Sequence, residues 1–353
     1  MGERRRQVAD LAVVVAAAVA VSVVFAALGL PSPTLFAGLL VGLVRALTFR
    51  GRIAVPRPAT TAAQVIIGVS MGSLIDLETL RTVGENWLPV LAVTVGTLAL
   101  SIGAGLVLRL QRGISPVTGA FSMIAGGASG IVVMARELGA DARMVAVLQY
   151  LRVLLIVVLM PVAATVAYGA ALGSGGPPPA DDGPGWPAGL LFTVGCGVVG
   201  LVVGRLLRLP VATLLGPLIV AAVVDLAGLG SGAEVPGLVQ SAGFLVIGLQ
   251  VGISFTRESL RTIGRALPLA LAVILGLALA SAGLGALLSA ATGVSALDGY
   301  LATTPGGIYA VLATASDIGA DVTFVLAVQV LRLLVMLLSA PLIARWLRRS
   351  ATD

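Results

Sequence analysis

SALDGYLATTPGGIYAVLATASDIGAD, residues 295–321, is largely apolar but carries Pro305-Gly306-Gly307 at its centre. Proline lacks the N–H that an α-helix needs, and a glycine pair leaves helical geometry at little steric cost. The stretch therefore reads as two half-helices around a break, with Thr303, Thr304 and Tyr309 beside it. An earlier stretch, SPVTGAFSMIAGGASGIVVMARELGAD at 115–141, has the same layout, with Gly126-Gly127 at the centre and Ser129 close by. Shifting residues 113–161 by 180 places them on 293–341 without a gap, with 15 identities in 49 positions. Chance produces matches among Leu, Val and Ala, but not Gln149 on Gln329, Arg152 on Arg332 and Asp141 on Asp321. The chain is an internal duplication, and each copy contains a broken segment.

Around these breaks the sequence is built for a bilayer. Of 353 residues, 58% are hydrophobic and 11% charged, against roughly 25% charged in a soluble protein. Apolar segments fall at about 8–29, 33–48, 60–75, 87–108, 116–136 and 143–169, then at 187–208, 211–229, 239–254, 266–289, 296–316 and 322–346. Runs approaching 20 apolar residues are the signature of membrane-spanning helices, whose backbone groups are satisfied without water. Arg4, Arg5 and Arg6 before the first run resemble a signal peptide. The equivalent segment at 187–208 favours retention of this first helix. The reading is a first membrane repeat at 1–172, a flexible extracytoplasmic linker at 173–186 rich in Gly, Pro and Asp, and a second repeat at 187–353.

Arginine placement decides the orientation of the repeats. All 22 basic residues are arginine, and they flank the apolar segments, which marks them as topology anchors rather than a nucleic-acid face. If 116–136 and 296–316 each enter and leave on one face, 19 arginines fall on the cytoplasmic side and only Arg81 outside. Six true spans per half would instead give a 12 to 8 split. The positive-inside rule thus predicts an all-α polytopic membrane protein of two inverted repeats. It has about ten transmembrane helices plus two re-entrant or broken helical segments, and has both termini cytoplasmic.

Interrupted segments at corresponding positions of two inverted halves point to a transporter binding site, because non-helical backbone at that depth survives only in protein or beside a wet cavity. Arg152 and Arg332 each lie 11 residues beyond the Asp that begins their helix, about 16 Å along it and near the bilayer midplane. Gln149 and Gln329 precede them by three residues on the same face. Either the arginines bind an anionic group of the substrate, or each holds free carbonyls of its neighbouring break. The candidate substrate-binding set is Gly126, Gly127, Ser129, Gln149 and Arg152 in the first half. In the second it is Thr303, Thr304, Pro305, Gly306, Gly307, Tyr309, Gln329 and Arg332. Asp141 and Asp321 read as helix N-caps ahead of a role in ion coupling, Asp317 and Glu137 as solvated helix ends ahead of carriers of a coupling proton, and the stretch 76–86 as a polar loop or interfacial turn.

No catalytic residue, metal ligand or cofactor is expected. The chain has no histidine, which excludes His-ligated metals and Ser-His-Asp triads. It has one cysteine, Cys196, in an apolar run, and no Walker motif. The duplicated Gly-Gly break, Gly-Ala-Asp, Gln-x-x-Arg and the Pro161 and Pro341 positions resemble the AbrB family of bacterial membrane proteins, over essentially the whole chain to Arg349. The two breaks differ, GGASG at 126–130 against GGIYA at 306–310. The resemblance implies a transporter-like membrane protein whose relatives carry labels such as ammonia monooxygenase or regulator. It does not extend to the soluble DNA-binding regulator of the same name. Expected partners are a small-molecule solute and the lipid bilayer, with coupling to sodium or protons and homo-oligomerisation left open. The leading reading is a secondary transporter that moves a small solute, with an anionic one a candidate, by alternating access at the paired Gly-Gly breaks, in the bacterial cytoplasmic (inner) membrane that the resemblance implies; the alternative is a membrane regulator or scaffold without transport. Oxygen chemistry lacks the ligands that a monooxygenase needs.

Overall fold

Fourteen α-helices and one 3₁₀ turn, with no strand, make up the described residues of the computed structural model. These are 2–28, 30, 32–49, 53–111, 114–125, 131, 135, 139–170, 185–209, 211–230, 232–254 and 264–349. Among the described residues six helices are long and apolar enough to cross a membrane, the architecture of a polytopic membrane protein. They are α1 (Gly2–Ala27), α5 (Trp87–Val107, extended by the 3₁₀ turn Leu108–Leu110), α7 (Ala142–Tyr168), α8 (Gly185–Leu206), α11 (Leu267–Thr292) and α14 (Val322–Arg349). A seventh span arises if α3 (Arg57–Gly72) and α4 (Leu77–Glu85), bent by 85° at their junction, are counted together. Shorter apolar helices are α2 (Pro33–Thr48), α9 (Ala212–Leu226) and α10 (Gly237–Ile253). The expected polar turn at 76–86 is in fact mostly helical: Asp76 Oδ2 accepts from the Thr79 N–H at 2.7 Å and opens α4, which buries none of its residues.

Contacts divide the chain into two compact units, each assembled from segments on both sides of the linker. One comprises Met1–Leu80, Ala171–Phe255 and Leu312–Thr323. Its helices meet backbone to backbone. A Cβ placed on Gly248 of α10 would lie 2.1 Å from the Leu35 carbonyl oxygen of α2, and one on Gly68 of α3 would lie 2.5 Å from the Leu214 oxygen of α9. In lipid, helices associate by packing rather than by the hydrophobic effect, so small residues at the crossings give the close approach that carries the attraction. Val14, Ala18, Leu245 and Leu249 fill one core here, and Val69, Phe192, Cys196 and Ala221 another. The Thr213 hydroxyl donates to Gln64 Oε1 at 2.5 Å between α9 and α3.

The second unit comprises Arg81–Ala170, Thr256–Val311 and Phe324–Asp353. It contains α5, α7, α11 and most of α14, with two short helices, α6 (Pro116–Met123) and α12 (Ala296–Thr303). α6 lies on α5 where a Gly119 Cβ would reach within 2.2 Å of the Gly105 oxygen; α12 lies on α11 where a Gly299 Cβ would reach within 2.3 Å of the Gly285 oxygen. Phe121, Ile124 and Ile131 pack with Met336 and Ala340 of α14 in its core. The unit thus holds the starts of both broken segments and the two helices that carry the Gln-x-x-Arg motifs.

Candidate solute site

Both short helices start and stop for local reasons. Ser115 caps α6, its Oγ accepting from the Thr118 N–H at 3.2 Å, and Pro116 takes the first helical position. Ser295 caps α12 in the same way, accepting from the Asp298 N–H at 3.0 Å, while its hydroxyl donates to Asp298 Oδ2. Eight residues later each helix ends. Ile124 turns to extended backbone after Met123, and Thr304, held out of the helical region by Pro305, does so after Thr303. The chain re-enters a helix only at α13 (Ile308–Asp317). A helix that stops inside a membrane leaves its last carbonyls without partners and its negative dipole end exposed.

Gln149 and Arg152 of α7 meet that need for α6. The Gln149 amide donates to the carbonyls of Phe121 (2.7 Å) and Ile124 (2.9 Å); Arg152 Nη1 donates to Met123 O (2.5 Å) and Nη2 to Gln149 Oε1 (3.1 Å). The same arrangement recurs 180 residues later. The Gln329 amide donates to Leu301 O (2.9 Å) and Thr304 O (3.2 Å), and Arg332 Nη1 to Thr303 O (3.0 Å) and Thr304 O (2.8 Å). Arg332 Nη2 donates to Gln329 Oε1. Each guanidinium sits where the half-helix dipole favours a cation. Both side chains are almost sealed, 2% and 3% exposed, and the Nε of each has no partner.

Of the expected site residues, Gln149, Arg152, Thr303, Thr304, Pro305, Gly306, Gly307, Tyr309, Gln329 and Arg332 gather in this unit. Gly126, Gly127 and Ser129 lie outside the described residues, as do Glu137 and the linker at 173–184. The threonine hydroxyls are spent on carbonyls: Thr303 donates to Ser281 O (2.8 Å) and Gly299 O (3.0 Å), Thr304 to Tyr300 O (2.7 Å). Tyr309 keeps a buried hydroxyl without a partner. Beside Thr304, a pocket of about 20 Å³ between α7, α11 and α12 is lined by Ile156, Met160, Ile274 and Tyr300, room for one water.

Several features had no signal in the sequence. Tyr300 stacks on Tyr168 at 4.9 Å, and Ser281 buries a hydroxyl without a partner next to the Thr303 contact. Asp141 does cap α7, accepting from the N–H groups of Arg143 (2.9 Å) and Met144 (3.0 Å). Its counterpart Asp321 accepts from the Thr79 hydroxyl at 3.2 Å. Asp317 is half-buried rather than a solvated helix end, because the N–H and hydroxyl of Ser32 at the start of α2 both donate to its Oδ2, the hydroxyl at 2.6 Å. Burial raises the Asp317 carboxyl above the usual value and the two Ser32 bonds oppose the rise. Gln250 of α10 is exposed.

A family described as "Transition state regulatory protein AbrB" matches residues 35–348. The chain belongs to the AbrB family. Within reach of this AbrB-family chain is the "Putative regulator AbrB" of Escherichia coli (strain K12), 34% identical over 330 residues that cover 92% of this chain and 93% of that protein. The "Uncharacterized protein YhjN" of Bacillus subtilis (strain 168) is 26% identical over 296 residues, 79% of this chain and 76% of its own length.

Proposed function

We propose that this AbrB-family protein is a secondary transporter that moves a small solute by alternating access, with its site at the paired breaks. The observation that carries the reading is the twofold use of one device. In each half a short helix ends inside the protein, and a buried Gln-x-x-Arg on a long helix holds its last carbonyls. Two half-helices that end at corresponding positions, beside buried ionisable side chains, are what a midplane site is built from. The matched bonds, 180 residues apart, support reading the halves as repeats. With α2, α3, α9 and α10, each of 15 to 17 residues, added to the six long helices, the chain would cross ten times. The repeats would be inverted and both termini cytoplasmic, in a bacterial inner membrane. No chemical transformation is assigned to the protein, and coupling to a sodium or proton gradient is part of the test below.

The test is reconstitution in liposomes with a panel of small anions, cations and neutral solutes, under imposed sodium and proton gradients. Uptake of at least one member above that of empty liposomes is expected. Absence of uptake across the panel and both gradients refutes the reading. One observation favours a second reading, a membrane regulator or scaffold without transport: the Escherichia coli relative is named a regulator. A reporter fused within 173–186 is expected to signal from outside; a cytoplasmic signal overturns the inverted arrangement.

A further inference from the structure

We propose that Asp317, the last residue of α13, is a proton-binding site, and that the proton it takes up is the coupling ion. The coupling role rests on the transport reading and adds to it the ion and the residue. α13 starts directly after Gly307 and runs for ten residues, about 15 Å, so the second break and Asp317 lie at the two ends of one helix. Asp317 and Ser32, the N-cap of α2, both belong to the first unit. The Ser32 N–H and hydroxyl both donate to Oδ2, whereas Oδ1 accepts nothing among the described residues. Thr314, one turn earlier on the same face of α13, buries a hydroxyl without a partner.

No cation offsets this carboxyl. Arg45 of α2 and Asp10 of α1 bond each other thirteen residues beyond Ser32, about 20 Å away, and Glu3, Arg4, Arg5 and Arg6 precede Asp10. α10, which closes on α2, carries no charged residue, and α13 carries none but Asp317. Asp321 accepts from the Thr79 hydroxyl, and Asp76, Glu78 and Arg81 are exposed. None of these charges acts on Asp317: burial raises its carboxyl above the ordinary value, and only the two Ser32 bonds oppose the rise.

The dipole of its own helix opposes the anion while that of α2 favours it, which leaves burial to decide. With a proton on Oδ1 the group is neutral, Oδ2 still accepts from Ser32, and Thr314 supplies an acceptor one turn away. This conformation therefore holds the neutral acid better than the anion. When α13 moves with the break and parts from Ser32, the carboxyl meets water. The Oδ1–H bond then breaks, the proton passes to water and the carboxylate stays on the chain. Because the proton binds the two conformations unequally, a proton gradient biases their equilibrium. A mere clasp for α2 would stay ionised at neutral pH.

The experiment is infrared difference spectroscopy of the full-length protein in nanodiscs, stepped from acid to neutral pH. A carboxylic-acid C=O band that titrates above the ordinary aspartate value of 3.8 is expected in wild type and lost in Asp317→Asn. Ser32→Ala, which removes a donor to Oδ2, should move its midpoint up; Thr314→Val, which removes the acceptor, should move it down. Should Asp317→Asn fail to fold, wild-type protein decides. Dicyclohexylcarbodiimide adds to protonated carboxyls in apolar surroundings, and mass spectrometry should find it on Asp317, less as pH rises, and not on exposed Glu85. A band unchanged in Asp317→Asn, a midpoint at or below the ordinary value, or modification of Asp317 indifferent to pH overturns the proton site. In liposomes containing pyranine, solute entry should shift internal pH with wild type and not with Asp317→Asn; an equal shift in both overturns the coupling role. Titration of Asp317 without uptake of any solute upholds the proton site and removes transport. Uptake without titration of Asp317 does the reverse.

Discussion

Replacing Gly248 by alanine tests the packing on which the first unit is built. The added Cβ would lie 2.1 Å from the Leu35 oxygen, 2.9 Å from the Leu39 nitrogen and 3.0 Å from the Leu35 carbonyl carbon, all backbone atoms of α2. Ordinary contact begins near 3.4 Å, so α2 and α10 must separate by about 1 Å, and a gap of that size forfeits roughly a quarter to a half of each dispersion contact along the crossing. Overpacking of this kind costs about 1–3 kcal/mol, and a rigid backbone neighbour puts it near 3 kcal/mol. Surrounding lipid offers no hydrophobic compensation between helices. Gly276 of α11 is the control, since a Cβ there meets nothing within 4 Å; Gly276→Ala should not destabilise, and the gain in helix propensity favours it by about 0.5–1 kcal/mol. Reversible unfolding in mixed SDS micelles, followed by circular dichroism, reads both. Equal loss in the two variants, or wild-type stability in Gly248→Ala, refutes the backbone-to-backbone crossing.

Gln329→Leu removes donors from the buried carbonyls of Leu301 and Thr304 and should destabilise by about 1–3 kcal/mol for each group left unpaired. Exposed Gln250→Leu should be near neutral by the same assay, and matching losses would contradict the capping role. For Asp317 the folded carboxyl titrates above its unfolded value. The folded state then binds more protons in the interval between the two, and stability falls as pH rises through it. Asp317→Asn, which keeps an acceptor for Ser32, should therefore melt above wild type at neutral pH, with the difference closing toward pH 4; a difference that widens in acid would reverse the sign. Cys196 is buried and unpaired, so a water-soluble maleimide should label it only after SDS denaturation, which mass spectrometry checks.

How far the sequence could be read depended on whether the cause was local. The break after Thr303 was legible because Pro305 and the glycine pair act on their own backbone, and the helix over 33–48 was bounded by its residues. The capping of α7 by Asp141 follows from Gly-Ala-Asp ahead of an apolar run. Asp317 was misread as solvated because its burial depends on Ser32, 285 residues away. The two roles weighed for the arginines could not be separated from spacing alone. Only coordinates show that Nη1 of Arg332 reaches the carbonyls of Thr303 and Thr304 while its Nε reaches nothing.

Composition by itself determined that the chain is helical and built for lipid, since few charges and long apolar runs leave the backbone no other way to satisfy its hydrogen bonds. Tertiary structure alone decided that neither side of the linker makes a compact unit from its own helices. α2 closes on α10 and α9 on α3, drawing the first unit from both sides. A glycine records that some backbone comes close, but not which one. That choice belongs to the summed fit of two surfaces far apart in the chain, and no local pattern encodes it.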